Sequence, residues 1–109
     1  MRTLRFIVNG QIIEEDPSCD FDNLVPGTKE YLTAEFTFSP EWNGYAKVAS
    51  FYSSMGKPFK PQVLKGGRSC TIPADALKKQ SFKVQVYGRK NDSELVTNKV
   101  TITQDGGSR

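Results

Sequence analysis

Five carboxylates crowd one short stretch, EEDPSCDFD: Glu14, Glu15, Asp16, Asp20 and Asp22. Hard cations such as calcium take several oxygen ligands, so this cluster is the first candidate for chemistry in the chain. The EF-hand order D-x-[DN]-x-[DN]-G is missing, however, and a solvated polar loop accounts for the same residues. No metal is expected. The sequence contains no histidine, which removes the commonest general base and metal ligand, and with it Ser-His-Asp and Cys-His catalysis. Its two cysteines, Cys19 and Cys70, have neither CxxC nor zinc-site spacing. Without an export signal, two free thiols are favoured over a bridge. The glycines occur as NG, PG, GG and single residues, so no GxGxxG or GxxxxGK[ST] phosphate cradle is present. Paired-carboxylate glycoside hydrolysis needs two acids facing each other across a cleft, for which a short-looped domain leaves little room. A non-enzyme is expected, with no catalytic residue and no cofactor.

The cations point to binding rather than catalysis. Lys57, Lys60, Lys65 and Arg68 form one group, and Lys78, Lys79, Lys83, Arg89 and Lys90 another. Interleaved with Phe59, Phe82 and Tyr87, they suit a phosphate backbone with stacked bases. Yet Phe82 falls in a buried register, no RNP-like motif occurs, and a net charge of +3 is low for a dedicated nucleic-acid binder. A protein partner is therefore preferred to nucleic acid. The charge is strongly asymmetric. Residues 1–46 carry three bases against eight acids, a balance of −5, and residues 47–109 carry twelve against four, a balance of +8. If strands of both halves interleave, the two signs mix in space, which is the expected outcome. The alternative is a two-faced molecule that docks on an oppositely charged partner or on copies of itself.

Period-two alternation, the mark of a half-buried strand, supplies the frame for these groups. Leu4, Phe6 and Val8 alternate with Thr3, Arg5 and Ile7, and Asn9-Gly10 then predicts a hairpin over 3–15. Residues 16–30 form a long loop, tied down by Phe21, Leu24 and Val25. Leu32, Ala34, Phe36 and Phe38 share one face of the next strand, PEWNG turns the chain, and residues 45–52 return with Val48, Ala49 and Phe51. Beyond the 53–61 loop come a short hairpin around Lys65-Gly66-Gly67, a helical turn near 73–79 and a strand that Gly88 ends. A last strand runs from Leu95 to Thr103. About eight short strands with hardly any helix predict an all-β fold, a single antiparallel β-sandwich of immunoglobulin-like, Greek-key type. The domain spans 1–104, with a flexible tail over 105–109. Trp42 is expected to fold back as a lid on the core, its N–H bonded to a backbone carbonyl, rather than to stand exposed as an anchor.

The block FTFSPEWNGYAKVASF resembles a pattern met in small uncharacterised proteins encoded by phages and prophages of Gram-positive bacteria. CTIPADAL (70–77), FKVQVYG (82–88), TNKVTITQDG (97–106) and the N-terminal VNGQIIEEDPSCDF are similar to the other blocks of that group. The resemblance implies a β-sandwich-like module found in or beside virion baseplate, tail or fibre components. It brings no catalytic residues, and it implies packing roles for Trp42, Phe51 and Leu77. A phage structural or accessory protein that binds other proteins, or copies of itself, is thus the expected function. An inhibitor of a host defence system that binds its target stoichiometrically is the first alternative, and a carbohydrate-binding module the second. The candidate interface comprises the outward rings and charges Tyr31, Tyr45, Phe59, Tyr87, Arg89 and Lys90. The N-terminus MRTLRFIVNG has too short an apolar stretch for a signal peptide, and no segment is long enough to span a membrane. The host cytoplasm or the virion is the expected location.

Overall fold

The computed structural model describes residues 2–19, 21, 32–73, 75, 76 and 81–103. Nine strands occur among them: β1 (Arg2–Asn9), β2 (Ile12–Glu15), β3 (Leu32–Phe38), β4 (Ala46–Ser53), β5 (Gln62–Val63), β6 (Ser69–Thr71), β7 (Ser81–Lys90), β8 (Ser93–Val96) and β9 (Val100–Thr103). They form two sheets. One has the order β2-β1-β3-β6. The other has the order β5-β4-β7-β8, with β9 also paired to β7. The fold is all-β and sandwich-like. Alternation places Leu4, Phe6, Val8, Leu32, Ala34 and Phe36 from the first sheet against Ala49, Phe51, Phe82, Val84 and Val86 from the second, all buried in one core.

The expected purely antiparallel arrangement is corrected by β1 and β3, which pair in parallel from Arg2 opposite Leu32 to Val8 opposite Phe38. Parallel neighbours need a connection of about a dozen residues or more, and the chain between Asn9 and Leu32 is long enough to bring β3 back alongside β1. The first hairpin is displaced by one residue from its expected turn. Asn9 pairs with Ile12, so Gly10 and Gln11 form the loop, and Gly10 takes φ +60°.

Two further expectations change in the second half of the chain. Gly88 does not end its strand, because β7 continues to Lys90 and turns through Asn91-Asp92 into β8. Asn91 itself adopts φ 52°. The single last strand is split into β8 and β9 by Thr97. Its N–H bonds to the Val86 carbonyl at 3.0 Å, and its hydroxyl accepts the Val86 N–H at 3.0 Å and donates to the Asn98 carbonyl at 2.8 Å. A side chain thus replaces one rung of the ladder and bulges the chain. At the expected helical turn, the Ala76 N–H bonds to the Pro73 carbonyl at 3.0 Å, while Ala74 and 77–80, Leu77 included, lie outside the described residues. Phe21 packs edge-on against Phe6 at 5.5 Å, as expected of a loop anchor; Leu24, Val25 and the tail over 105–109 lie outside the described residues.

Trp42 is fully buried and plugs one end of the core. It closes a 3-10 turn, Pro40–Trp42, and its indole N–H bonds to the Gly10 carbonyl at 2.8 Å. The Gly10 N–H in turn donates to the Ser39 hydroxyl at 3.0 Å. The first hairpin turn and the turn after β3 therefore hold each other.

The charge halves do not mix as expected. Residues 2–38 supply three of the four strands of the first sheet, and residues 46–103 supply all five of the second. Strands of the first sheet carry Arg2 and Arg5 against Glu14, Glu15 and Glu35; strands of the second carry Lys47, Lys83, Arg89 and Lys90 against Glu94 alone. The balances are −1 and +3, so the asymmetry along the chain becomes an asymmetry between sheets.

Candidate functional site

The outer face of the five-stranded sheet is built by the same alternation that buries its inner face. Since Phe82, Val84, Val86 and Gly88 point inward on β7, the residues Lys83, Gln85, Tyr87 and Arg89 point outward. Cross-strand partners share a face, so register decides what meets on it. Val63 lies opposite Val48, Val48 opposite Tyr87, and Tyr87 opposite Val96. Four strands thus contribute one apolar residue each to a row running straight across the sheet. Val63 is 75% exposed and Val96 38%, so the row meets solvent at both ends. Arg89 lies in the rung on one side of the row, opposite Ala46 and Glu94. On the other side the Tyr52 hydroxyl donates to Gln85 Oε1 at 2.9 Å, and Gln85 Nε2 donates to the Thr97 carbonyl at 2.7 Å. Beyond them Lys83 pairs across from Tyr52, and Lys99 Nζ lies 4.1 Å from the Tyr52 ring centre. Hydrogen bonding to Glu94 raises the pKa of the Tyr87 phenol above its ordinary value.

Only part of the expected interface assembles here. Tyr87 and Arg89 stand together on the outer face. Lys90, one residue on, takes the opposite side, with Nζ 5.9 Å from the Tyr45 ring centre. Tyr45 is half-buried against Trp42 at 6.1 Å and belongs to the end of the core. Phe59 sits at the far end of β4, its N–H bonded to the Phe51 carbonyl at 2.8 Å. Six residue steps lead from Tyr45 to Phe51, roughly 20 Å at strand rise, so Tyr45 and Phe59 form no joint ring platform. Tyr31 lies outside the described residues. The residues missed from sequence are Val48, Val63 and Val96. Strict alternation from the buried Ala49 and Phe51 sends Val48 outward, but the row it joins depends on strand partners that lie far apart in sequence.

The chain matches no protein-family model, no curated protein and no solved structure.

The groups that could do covalent or metal chemistry are occupied otherwise. Asp16 accepts the Ser18 N–H at 2.9 Å and the Ser18 hydroxyl at 2.7 Å, and the backbone bond, then the hydroxyl, hold its carboxyl below the usual range. Partial burial raises Glu15. Asp20 and Asp22 lie outside the described residues, and among the described ones no three His, Cys, Asp or Glu residues are grouped to hold a metal ion. Cys19 and Cys70 form no disulfide. Burial pushes the Cys70 thiol up to about 12, which leaves it protonated and a poor nucleophile at neutral pH. No helix among the described residues is long and apolar enough to cross a membrane.

Proposed function

We propose that this chain is a non-enzymatic protein-binding module, an immunoglobulin-like sandwich that docks an acidic partner protein on the outer face of its five-stranded sheet. The observation that carries the reading is the exposed row Val63–Val48–Tyr87–Val96 on the sheet that holds the positive half of the chain. Docking surfaces place apolar and aromatic anchors centrally, with Arg and other polar groups around them. Here Tyr87 is the anchor, the valines extend it, and Arg89, Lys83 and Lys99 supply the complementary charge. Together with the resemblance of FTFSPEWNGYAKVASF and its companion blocks to phage-encoded modules, this supports a virion structural or accessory role in which the partner is a baseplate, tail or fibre component.

Mass spectrometry of purified particles tests the reading, comparing the wild-type chain with a Val63→Asp, Tyr87→Asp variant. The wild-type protein is expected in many copies per particle. The variant is expected to fold with unchanged melting behaviour and to be incorporated at least tenfold less, the effect of losing about 1.4 kcal/mol or more of docking energy. Equal incorporation of both forms would overturn the docking face. Absence of the wild-type protein from particles would reject the virion role and leave the host-defence inhibitor as the better account.

A further inference from the structure

A second site lies away from this face, where the ends of β3 and β4 part and the β5–β6 turn crosses between the sheets. There a cleft of about 340 Å³ is lined by Thr37, Asn43, Lys47, Gly66, Gly67 and Arg68, over the rings of Phe36 and Phe38. Lys47 pairs across from Gly88, on the inward side of its sheet, unlike the outward-facing Lys83. Its ammonium is half-buried and meets no carboxylate among the described residues. Nζ donates to the Tyr45 carbonyl at 3.1 Å and lies 5.2 Å from the Phe38 ring centre, both neutral partners. An ammonium has three donors, so this arrangement leaves capacity unspent. The Arg68 main chain is held in place, its N–H bonded to the Lys65 carbonyl at 3.1 Å and its carbonyl accepting the Phe36 N–H at 2.7 Å. Its guanidinium makes no ion pair among the described residues, where Arg5 with Glu35 is the pair formed. Among the described residues the cleft lining thus brings two basic residues, a carboxamide and a hydroxyl, and no acid. Gly66 and Gly67, at φ +60° and +70°, carry no side chain into it, and a Cβ at Gly67 would begin 3.6 Å from Lys47 Nζ.

We infer that this cleft is a binding site for a phosphate group, held between Lys47 and Arg68. Two positive charges with no counter-charge among the described residues match a phosphate of about −1.5 to −2 at neutral pH. The planar guanidinium can take two of its oxygens side by side, and the lysine supplies a point charge at a third. The phosphate can be free or esterified on a small molecule, and the cleft exceeds what a bare ion fills. The site is independent of the docking face.

Amide chemical shifts of the full chain, titrated with sodium phosphate and with sodium chloride at equal ionic strength and pH, test the inference. Saturable shifts at Gly66, Gly67 and Arg68 with phosphate alone are expected. Lys47→Met and Arg68→Gln should each weaken binding about tenfold or more, as loss of a charge-assisted hydrogen bond implies. Lys60→Gln removes the same charge at an exposed position outside the cleft and should leave affinity unchanged. A parallel titration with adenosine monophosphate separates the two sources: tighter binding than inorganic phosphate marks an esterified ligand, and weaker binding marks the free ion. Shifts that chloride reproduces, or an equal loss in Lys60→Gln, would show non-specific attraction and overturn the site.

Discussion

Gly88 and Trp42 form a matched pair, and the reason is steric. A Cβ built at Gly88 would lie 2.5 Å from the indole Cζ3 and 3.0 Å from Cε3. Real atoms do not approach so closely, so the missing side chain is the notch that admits the ring. This explains why a glycine persists inside a long, buried strand where it would otherwise weaken it. Gly88→Ala should therefore cost about 1–3 kcal/mol through overpacking against a ring that is locked by its bond to Gly10. The cost should shrink in a Trp42→Leu background, because the ring that clashes is gone; chemical denaturation of the four corners of this double-mutant cycle measures the difference. An additive cycle would mean that Gly88 matters for its backbone alone. The role of Trp42 was legible from FSPEWNG, since Pro40 and Gly44 already account for the turn and free the indole to act as a lid. The role of Gly88 was not, because nothing local in VYGRK shows that a tryptophan 46 positions earlier needs its space.

Among the elements, the weakest seam should be the edge where the two sheets meet at β2 and the β8–β9 bulge. Asn98 closes it. Its Oδ1 accepts the Ile13 N–H at 2.8 Å, its Nδ2 lies 3.5 Å from the Ile13 carbonyl, and its own N–H bonds to the Gln11 carbonyl at 3.1 Å. The side chain imitates a neighbouring strand, satisfying backbone groups that an edge leaves open. Asn98→Ala should cost about 1–2 kcal/mol and speed hydrogen exchange at the Ile13 amide ahead of amides in β1. Unchanged exchange at Ile13 would show that water serves the edge equally well. At this scale the sequence was informative about faces and poor about partners. Alternation identified the buried sides of β1, β3 and β7 because it depends on neighbours two residues apart. The parallel pairing of β1 with β3 and the division of 95–103 depend on contacts with distant strands. In particular, Thr97 reads as an ordinary strand residue until its hydroxyl is seen to take the place of a backbone rung at Val86.

For the whole molecule, the decisive feature is that division of the chain between sheets follows the division of charge. The outer row across four strands was hidden for a related reason: it needs three separate registers, Val48 with Val63, Val48 with Tyr87 and Tyr87 with Val96, to be known together. If the positive charge is concentrated on one sheet, the molecule should behave as more basic than its total of +3 toward a negatively charged surface, because that sheet can face the surface while the other turns away. Cation-exchange chromatography with charge-matched variants tests this without any partner. Lys83→Gln with Arg89→Gln removes two charges from the outer face of the five-stranded sheet. Arg2→Gln with Arg5→Gln removes two from the other sheet, where Arg5 is already paired with Glu35 at 3.2 Å. Both variants keep the same net charge, so a molecule with mixed signs would elute both at the same salt. The segregated arrangement requires the Lys83, Arg89 variant to elute at clearly lower salt. The gap should be widest in dilute buffer, where screening extends over about 30 Å at 0.01 M, and narrow as the screening length falls toward about 10 Å at 0.1 M. Coincident elution at low ionic strength would remove the electrostatic half of the docking argument and leave the valine and tyrosine row to stand alone.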